Sequence, residues 1–233
     1  MLPTKAASRA GTWMVATSLL MLTPAFAGQK PKNWNPGTDP ANFARPMDNP
    51  YFPLNSTRSL FYRASTKSGI ETLLIEVTGG TKVILGITTR VVIETAKLNG
   101  ETIEIAENWF APDNEGNVWY FGEFTQDYVN GVPSGTEGSW VAGGTARPGI
   151  IMKAHPRPGD TYFQEFAPGI AQDMASVISI TKTATVMGHT LRDVILTKEW
   201  TALEPNSVEH KSYAPGIGLI LEQKGGVRLE LVP

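Results

Sequence analysis

The chain has 233 residues, no cysteine and a formal net charge of −2. Without cysteine it can form neither a disulfide nor a thiolate metal site, so its stability must come from a packed core. Its basic residues are scattered singly, whereas nucleic-acid and membrane-surface binding need a basic stripe or a polybasic patch. We therefore expect no nucleic-acid partner and no stable insertion into a membrane.

The N terminus has the pattern of a cleaved export signal. Lys5 and Arg9 precede an apolar run at 13–22, and Ala25-Phe26-Ala27 has the small-x-small pattern of a signal-peptidase site. The apolar run is too short for a permanent transmembrane helix. We expect residues 1–27 to be a signal peptide and the protein to be periplasmic or secreted.

Residues 28–56 are predicted to form a proline-rich extended arm. Proline is frequent in this segment, and it fits neither a helix interior nor a central strand. The arm also carries Trp34, Phe43, Tyr51 and Phe52, whose large apolar rings are usually at least partly buried. We therefore expect the arm to pack on the rest of the protein.

Residues 57–233 alternate in polarity with the period of two that is typical of β-strands. Asn99-Gly100 and Asn130-Gly131 are favoured sequences for two-residue hairpin turns. The pattern predicts an all-β, single-domain antiparallel meander of roughly ten strands. Because so many hairpins would otherwise leave exposed sheet edges, we expect the sheet to be strongly bent or closed like a barrel.

Five short motifs are spread over nearly all of the chain after the signal. They are DNPYFPL (48–54), DNEGNVWYFGE (113–123), TEGSW (136–140), PGIIM (148–152) and SYAPGIGLILE (212–222). With these motifs the chain resembles a family of uncharacterised exported bacterial all-β proteins. The resemblance implies an all-β fold and export, and it implies no catalytic or binding residue.

The segment NVWYFGE (117–123) contains the candidate site. If Trp109 lies opposite Trp119, which is one of two plausible registers, five residues share one face of the sheet because side chains alternate. They are Glu107, Trp109, Trp119, Phe121 and Glu123. Two carboxylates beside two tryptophans would share a proton or bind a cation. Alternatively, this face is core near the tryptophans and the glutamates reach solvent.

Further acidic residues on predicted strands would line a cavity if a closed sheet points them inward. They are Glu137, Glu165, Asp173, Glu199 and Glu209. Such a cavity would suit a basic small ligand or a hard divalent cation such as calcium. The alternative is that these carboxylates lie on the solvated outer face of the sheet.

These features predict a non-enzymatic protein that binds a small molecule or cation. Its pocket would combine the five residues of the shared face with Glu137 and Trp140. A second hypothesis is an enzyme that uses two carboxylates as acid and base on a glycan or another small extracellular substrate. A third is a structural or surface-assembly module without a pocket, for which the long arm is the only indication.

The predicted signal can be tested directly. Protein recovered from an extracytoplasmic fraction of its native host is expected to begin at or next to Gly28, because cleavage follows the small residues at 25–27. N-terminal sequencing gives the answer. A chain in that fraction that still begins at Met1 would contradict the prediction.

Overall fold

The structure is a computed structural model, and it describes residues 34–233. The predicted signal peptide and the first residues of the arm lie outside this range. Within it, the one helical segment is a short 3₁₀ turn, Pro40–Phe43, and no helix is long and apolar enough to span a membrane. The strands are β1 Arg58–Thr66, β2 Gly69–Ile84, β3 Ile87–Leu98, β4 Glu101–Pro112, β5 Val118–Val129, β6 Val132–Gly135, β7 Trp140–Val141, β8 Arg147–Met152, β9 Thr161–Phe163, β10 Glu165–Phe166, β11 Asp173–Val186, β12 His189–Thr201, β13 Glu204–Ala214, β14 Gly218–Lys224 and β15 Val227–Val232.

The strands of residues 34–233 form one antiparallel sheet. Strands β1 to β5 lie side by side in chain order, and so do β11 to β15. Because β15 pairs with β1, these two meanders make one continuous surface. All strands except the short β6, β7, β9 and β10 have six or more residues. The predicted all-β antiparallel meander is therefore confirmed.

A short segment, 161–166, brings the two free edges of the sheet together. Its first half, β9, pairs with β11, and its second half, β10, pairs with β8. Gly149 in β8 permits the close approach, because a Cβ there would lie 2.2 Å from the carbonyl oxygen of Gln164. The sheet is thus nearly closed into a barrel, as the number of hairpins predicted.

The predicted Asn-Gly hairpin turns have the backbone that the sequence requires. Asn99 and Gly100, between β3 and β4, have φ of 52° and 88°, and Asn130 and Gly131, between β5 and β6, have φ of 52° and 74°. Positive φ at both central residues is the geometry of a type I′ turn. These turns set the order of adjacent strands along the first meander.

Strands β4 and β5 lose their simple register at Gly122. Asn108 pairs with Glu123, whereas Phe110 pairs with Tyr120, so β5 contains one extra residue between the two pairs. Gly122 has φ of 136°, and a Cβ on it would lie 2.4 Å from a backbone oxygen of β7. The bulge reverses the alternation of side chains in the second half of β5.

The arm packs on the barrel through its aromatic rings. Phe43 lies edge-on to Trp119 and Phe121, with ring centroids 6.1 Å and 5.7 Å apart. Phe52 contacts Phe110 in the same way at 5.0 Å. The described part of the arm is therefore folded against the sheet, as its aromatic content predicted.

The buried interior is not uniformly apolar. Aliphatic and aromatic side chains such as Tyr62, Leu73, Phe110 and Leu229 form its apolar part. The buried residues of 34–233 also include one lysine, Lys211, and eight carboxylates. The carboxylates are Glu71, Asp113, Glu123, Glu165, Asp173, Glu199, Glu209 and Glu222. Buried charges need partners, so these residues identify where a functional site should be sought.

Gly122→Ala is expected to lower the free energy of unfolding by about 2–5 kcal/mol, because it combines an unfavourable φ with a backbone clash. The matched control is Gly131→Ala, where φ is 74° and nothing lies within 4 Å of the added carbon. The control should lose only the conformational part, about 1–2 kcal/mol. Urea denaturation measures both losses. Equal losses at the two positions would show that the contact with β7 is unimportant.

Candidate functional site

Four charged side chains on β12, β13 and β14 form a buried cluster, here called the lysine cage. Its members are Glu199, Glu209, Lys211 and Glu222, each between 3% and 7% exposed. Glu199 pairs with Glu209, and Lys211 pairs with Glu222. Since residues two apart on a strand face the same side, this register brings all four side chains together inside the barrel.

The ammonium group of Lys211 lies among the three carboxylates. Its Nζ is 3.1 Å from Glu199 Oε2, 3.5 Å from Glu209 Oε2 and 3.8 Å from Glu222 Oε2. Lys224 approaches Glu209 from another direction, with 2.5 Å between Nζ and Oε1. The cage is therefore an ion network in which cations separate like charges.

Burial and charge act in opposite directions on the lysine cage. Burial lowers the pKa of Lys211, but Glu199, Glu222 and Glu209 together outweigh it and hold that pKa well above its ordinary value. Lys211 is therefore an ammonium ion at neutral pH. Burial raises the pKa of Glu222 to about 8, although Lys211 opposes the rise. Burial also raises the pKa of the neighbouring Asp173 to about 8.

A second polar group, here called the tyrosine cluster, consists of Asn108, Tyr120 and Glu123 on β4 and β5. The Tyr120 hydroxyl donates a hydrogen bond to Asn108 Oδ1 and also hydrogen-bonds with Glu123. Burial raises the pKa of Tyr120 well above its ordinary value, and the charges of Glu123, Glu165 and Glu94 raise it further. The phenol therefore stays neutral and remains a hydrogen-bond donor.

A cavity of about 110 Å³ is bordered by residues of both groups. Its wall also includes Phe52 and Pro53 from the arm, so the arm helps to enclose it. The rest of the wall is largely apolar, with Leu73, Ile75, Val92, Phe110 and Leu219 among its residues. A mostly apolar wall with a few convergent polar groups is typical of a small-molecule site.

Three polar groups at the cavity are incompletely satisfied. Asn108 Nδ2 and Glu222 Oε1 are buried and have no hydrogen-bond partner among the described residues. Glu94 is half-buried, and within residues 34–233 its carboxylate receives no hydrogen bond. Burial raises the pKa of Glu94, and the charge of Lys211 partly offsets the rise. The cavity thus contains one amide donor and two carboxyl groups with unused hydrogen-bonding capacity.

The predicted register of β4 and β5 is wrong. Trp119 pairs with Ala111 rather than with Trp109. The bulge at Gly122 then turns Glu123 toward the cavity, while both tryptophans lie on the opposite side of the sheet. The predicted shared face of carboxylates and tryptophans does not form, because one extra residue in β5 inverts the alternation.

The other members of the predicted shared face have partners away from the cavity. Trp109 Nε1 donates to Glu107 Oε1 at 2.8 Å, and Trp119 Nε1 donates to Asp113 Oδ2 at 2.9 Å. Phe121 is buried against the arm. None of these four predicted residues borders the cavity.

The two remaining predicted site residues, Trp140 and Glu137, differ in location and burial. Trp140 pairs with Glu123 and packs edge-on to Tyr120, with ring centroids 5.5 Å apart, so it borders the tyrosine cluster. Glu137 is exposed. Of the seven predicted ligand-binding residues, Glu123 alone lines the cavity in the described structure.

The carboxylates that the sequence placed either inward around a cavity or in solvent are mostly buried, but none of them borders the cavity described above. Four of the five are buried, namely Glu165, Asp173, Glu199 and Glu209. The sequence reasoning missed Glu94, Lys211 and Glu222. One signal was available: Glu209, Lys211 and Tyr213 occupy alternate positions of β13, so opposite charges share one face with a phenol.

A preformed metal site is not part of this arrangement. Within residues 34–233, no group of three or more His, Asp or Glu side chains could hold a metal ion. Lys211 occupies the centre of the largest carboxylate group instead. The divalent cation suggested by the acidic residues, such as calcium, therefore has no ready set of ligands in this part of the chain.

Comparisons with known proteins reach only distant structures. No protein-family model and no curated protein matches the chain. A candidate exported protein with a YmcC-like fold from Bacteroides fragilis has a TM-score of 0.39 and 14% identity, covering 82% of this chain and 97% of that one. A candidate lipoprotein from Parabacteroides distasonis has a TM-score of 0.42 and 10% identity, covering 79% and 98%. These similarities assign neither a family nor a function.

The raised pKa values of Glu222 and Asp173, both about 8, predict how stability depends on pH. Unfolded carboxyls lose their protons near pH 4, so the folded state binds more protons between about pH 4 and 8. Each group should therefore lower the free energy of unfolding as pH rises, by at most roughly 1.4 kcal/mol per pH unit. Glu222→Gln should flatten this decline, measured by urea denaturation at several pH values.

The exposed Glu137 supplies the control for this measurement. Glu137→Gln should keep the pH dependence of the wild-type protein, because its carboxylate is solvated. A Glu222→Gln variant with an unchanged pH dependence would show that the Glu222 carboxyl does not retain its proton on folding.

Proposed function

We propose that the barrel binds a small organic cation, a primary amine with a short apolar chain, in the cavity beside the lysine cage and the tyrosine cluster. The carboxylate of Glu94 carries the proposal. It borders the cavity, it is half-buried, and no group within residues 34–233 donates a hydrogen bond to it. A poorly solvated carboxylate without a partner is costly, and an ammonium group beside it removes that cost.

The charge around the cavity supports a cationic ligand. Four glutamates and two cations border it, namely Glu94, Glu104, Glu123, Glu222, Arg58 and Lys211. Lys211 is also engaged by Glu199 and Glu209, which lie outside this lining. Because burial keeps Glu222 largely protonated below about pH 8, the other three carboxylates exceed the two cations by one negative charge, and this excess raises the local concentration of cations.

Lys211 provides an internal example of the proposed chemistry. Its primary ammonium group is held inside the same barrel by three carboxylates at 3.1–3.8 Å. Ion pairs of this kind are stronger in an apolar surrounding than in water, and the shortest of them, to Glu199, is also within hydrogen-bond distance. A ligand amine at Glu94 would use the same interaction.

The dimensions of the cavity limit the ligand to a small molecule. The cavity volume is about 110 Å³, which is small beside the roughly 300–1,000 Å³ of common ligand pockets. The apolar wall suits a short hydrocarbon chain, and Glu94 suits the charged end. Butylamine has both features and is a suitable probe.

The geometry favours this proposal over the two other hypotheses from the sequence. The glycan hypothesis relied on sugar-stacking tryptophans beside two carboxylates, but Glu123 and the rings of Trp109 and Trp119 lie on opposite sides of the sheet. An assembly module without a pocket is not expected to enclose a cavity with polar groups. A protein that binds a small cation needs an enclosed cavity and polar groups in the wall of that cavity.

Butylamine is expected to stabilise the protein by mass action, by about 1.4 kcal/mol at ten times its Kd. Glu94→Gln keeps the size of the side chain and removes its charge, so it should weaken binding at least about tenfold. The affinity of the wild-type protein should fall as pH falls through the raised pKa of Glu94, because protonation removes the negative charge. Isothermal titration calorimetry measures each affinity.

Two controls make this test specific. Glu76→Gln changes a glutamate of β2 that borders neither cavity, and it should bind butylamine as the wild-type protein does. The neutral analogue 1-butanol should bind much more weakly than butylamine. Equal affinity of the wild type and Glu94→Gln, or of the amine and the alcohol, would refute the proposal.

A further inference from the structure

A second cavity, of about 660 Å³, lies at the end of the barrel where β12 joins β13 and β14 joins β15. Three glutamates and one lysine border it, namely Glu71, Glu204, Glu222 and Lys224. Glu222 borders the first cavity as well. The two cavities therefore share Glu222 as a wall residue, and the charged residues of both linings are mainly acidic.

Glu222 has one oxygen that the lysine cage does not use. Its Oε2 faces Lys211 at 3.8 Å, whereas its Oε1 is buried without a hydrogen-bond partner among the described residues. The side chain is only 3% exposed. Since an unsatisfied buried polar atom is costly, Oε1 is available to an N–H group that lies between the cavities, and such a contact would favour the ionised form of Glu222 over the protonated one.

The carboxylates of Glu71 and Glu94 lie toward opposite ends of this pair of cavities. Glu71, Leu73 and Ile75 occupy alternate positions of β2 and so face the same side, and Glu94 pairs with Ile75. Four residues of β-strand separate Glu71 from Ile75, the partner of Glu94. The two carboxylates are therefore about 13 Å apart along the strand, at 3.3 Å per residue. Leu73, between them, lines the first cavity and provides an apolar surface.

We infer that the ligand is a linear aliphatic polyamine that spans both cavities, with one terminal ammonium at Glu94, the other at Glu71 and its chain along Leu73. This inference rests on the proposed function and names its ligand class. A chain with eight atoms between the terminal nitrogens extends about 11 Å. With an ammonium-to-carboxylate distance of about 2.8 Å at each end, it reaches both glutamates. An inner nitrogen would lie near Glu222 Oε1.

The inference predicts a dependence on both charge number and chain length. 1,8-Diaminooctane should bind at least about tenfold more tightly than octylamine, which has the same chain with one charge, because it gains a second charge-assisted contact. 1,2-Diaminoethane, with about 4 Å between its nitrogens, is too short to reach both glutamates and should bind no more tightly than a monoamine. Spermidine, with an inner nitrogen, should bind at least as tightly as 1,8-diaminooctane. Titration calorimetry on the purified protein measures the series.

Two variants locate the second ammonium group. Glu71→Gln should remove the advantage of 1,8-diaminooctane and leave the affinity for octylamine unchanged. Glu76→Gln, on the opposite face of β2, should preserve the advantage. Circular dichroism verifies that both variants are folded.

The possible results separate this inference from the proposed function. If octylamine binds and 1,8-diaminooctane binds no more tightly, the polyamine inference is overturned while the monoamine site stands. If the diamine advantage survives Glu71→Gln, the placement of the second ammonium is wrong. If no amine binds, both proposals are wrong.

Discussion

The ammonium group of Lys211 is the charge on which the polar interior of the barrel depends. Glu199, Glu209 and Glu222 surround it within 3.8 Å, and transfer of each ion from water costs several kcal/mol. Without the lysine, three carboxylates would repel one another in an apolar surrounding. The register of β12, β13 and β14 must therefore be maintained, because a shift of one residue would turn every charge to the other face.

Closure of the sheet encloses this charge network and limits its contact with water. The segment 161–166 pairs with both edges, and the arm adds Phe52 and Pro53 to the wall of the cavity. Exclusion of water strengthens each ion pair and raises the cost of each unpaired charge. Glu94 is affected most directly, because Lys211 lies close enough to influence its pKa but makes no ion pair with it. The carboxylates of the cage thus form ion pairs with Lys211, whereas Glu94 forms none, which is why we propose it as the ligand-binding carboxylate.

The candidate site shows where reasoning from the sequence reached its limit. Alternation on β5 predicted that Glu123 would share a face with Trp119 and Phe121, and the bulge at Gly122 placed it on the other side. A glycine inside a strand can mark a bulge, but the close approach that leaves no room for a side chain at Gly122 comes from β7, a later segment of the chain. Similarly, both faces of β13 carry polar side chains. The alternation of polarity along β13 therefore did not show which face points inward, and it did not place Glu209 and Lys211 in the interior.

The sequence by itself determined the all-β class, the antiparallel hairpins and the packing of the arm. These features depend on local turn chemistry, on the period of two and on the need to cover aromatic rings, all of which can be seen within short segments. Only the tertiary structure decided which carboxylates meet. Glu94, Lys211 and Glu222 come from β3, β13 and β14 and become neighbours because β1 pairs with β15 and the sheet curves into a barrel. Contacts across a closed sheet depend on every register and bulge along it, and no single segment of the sequence contains that information.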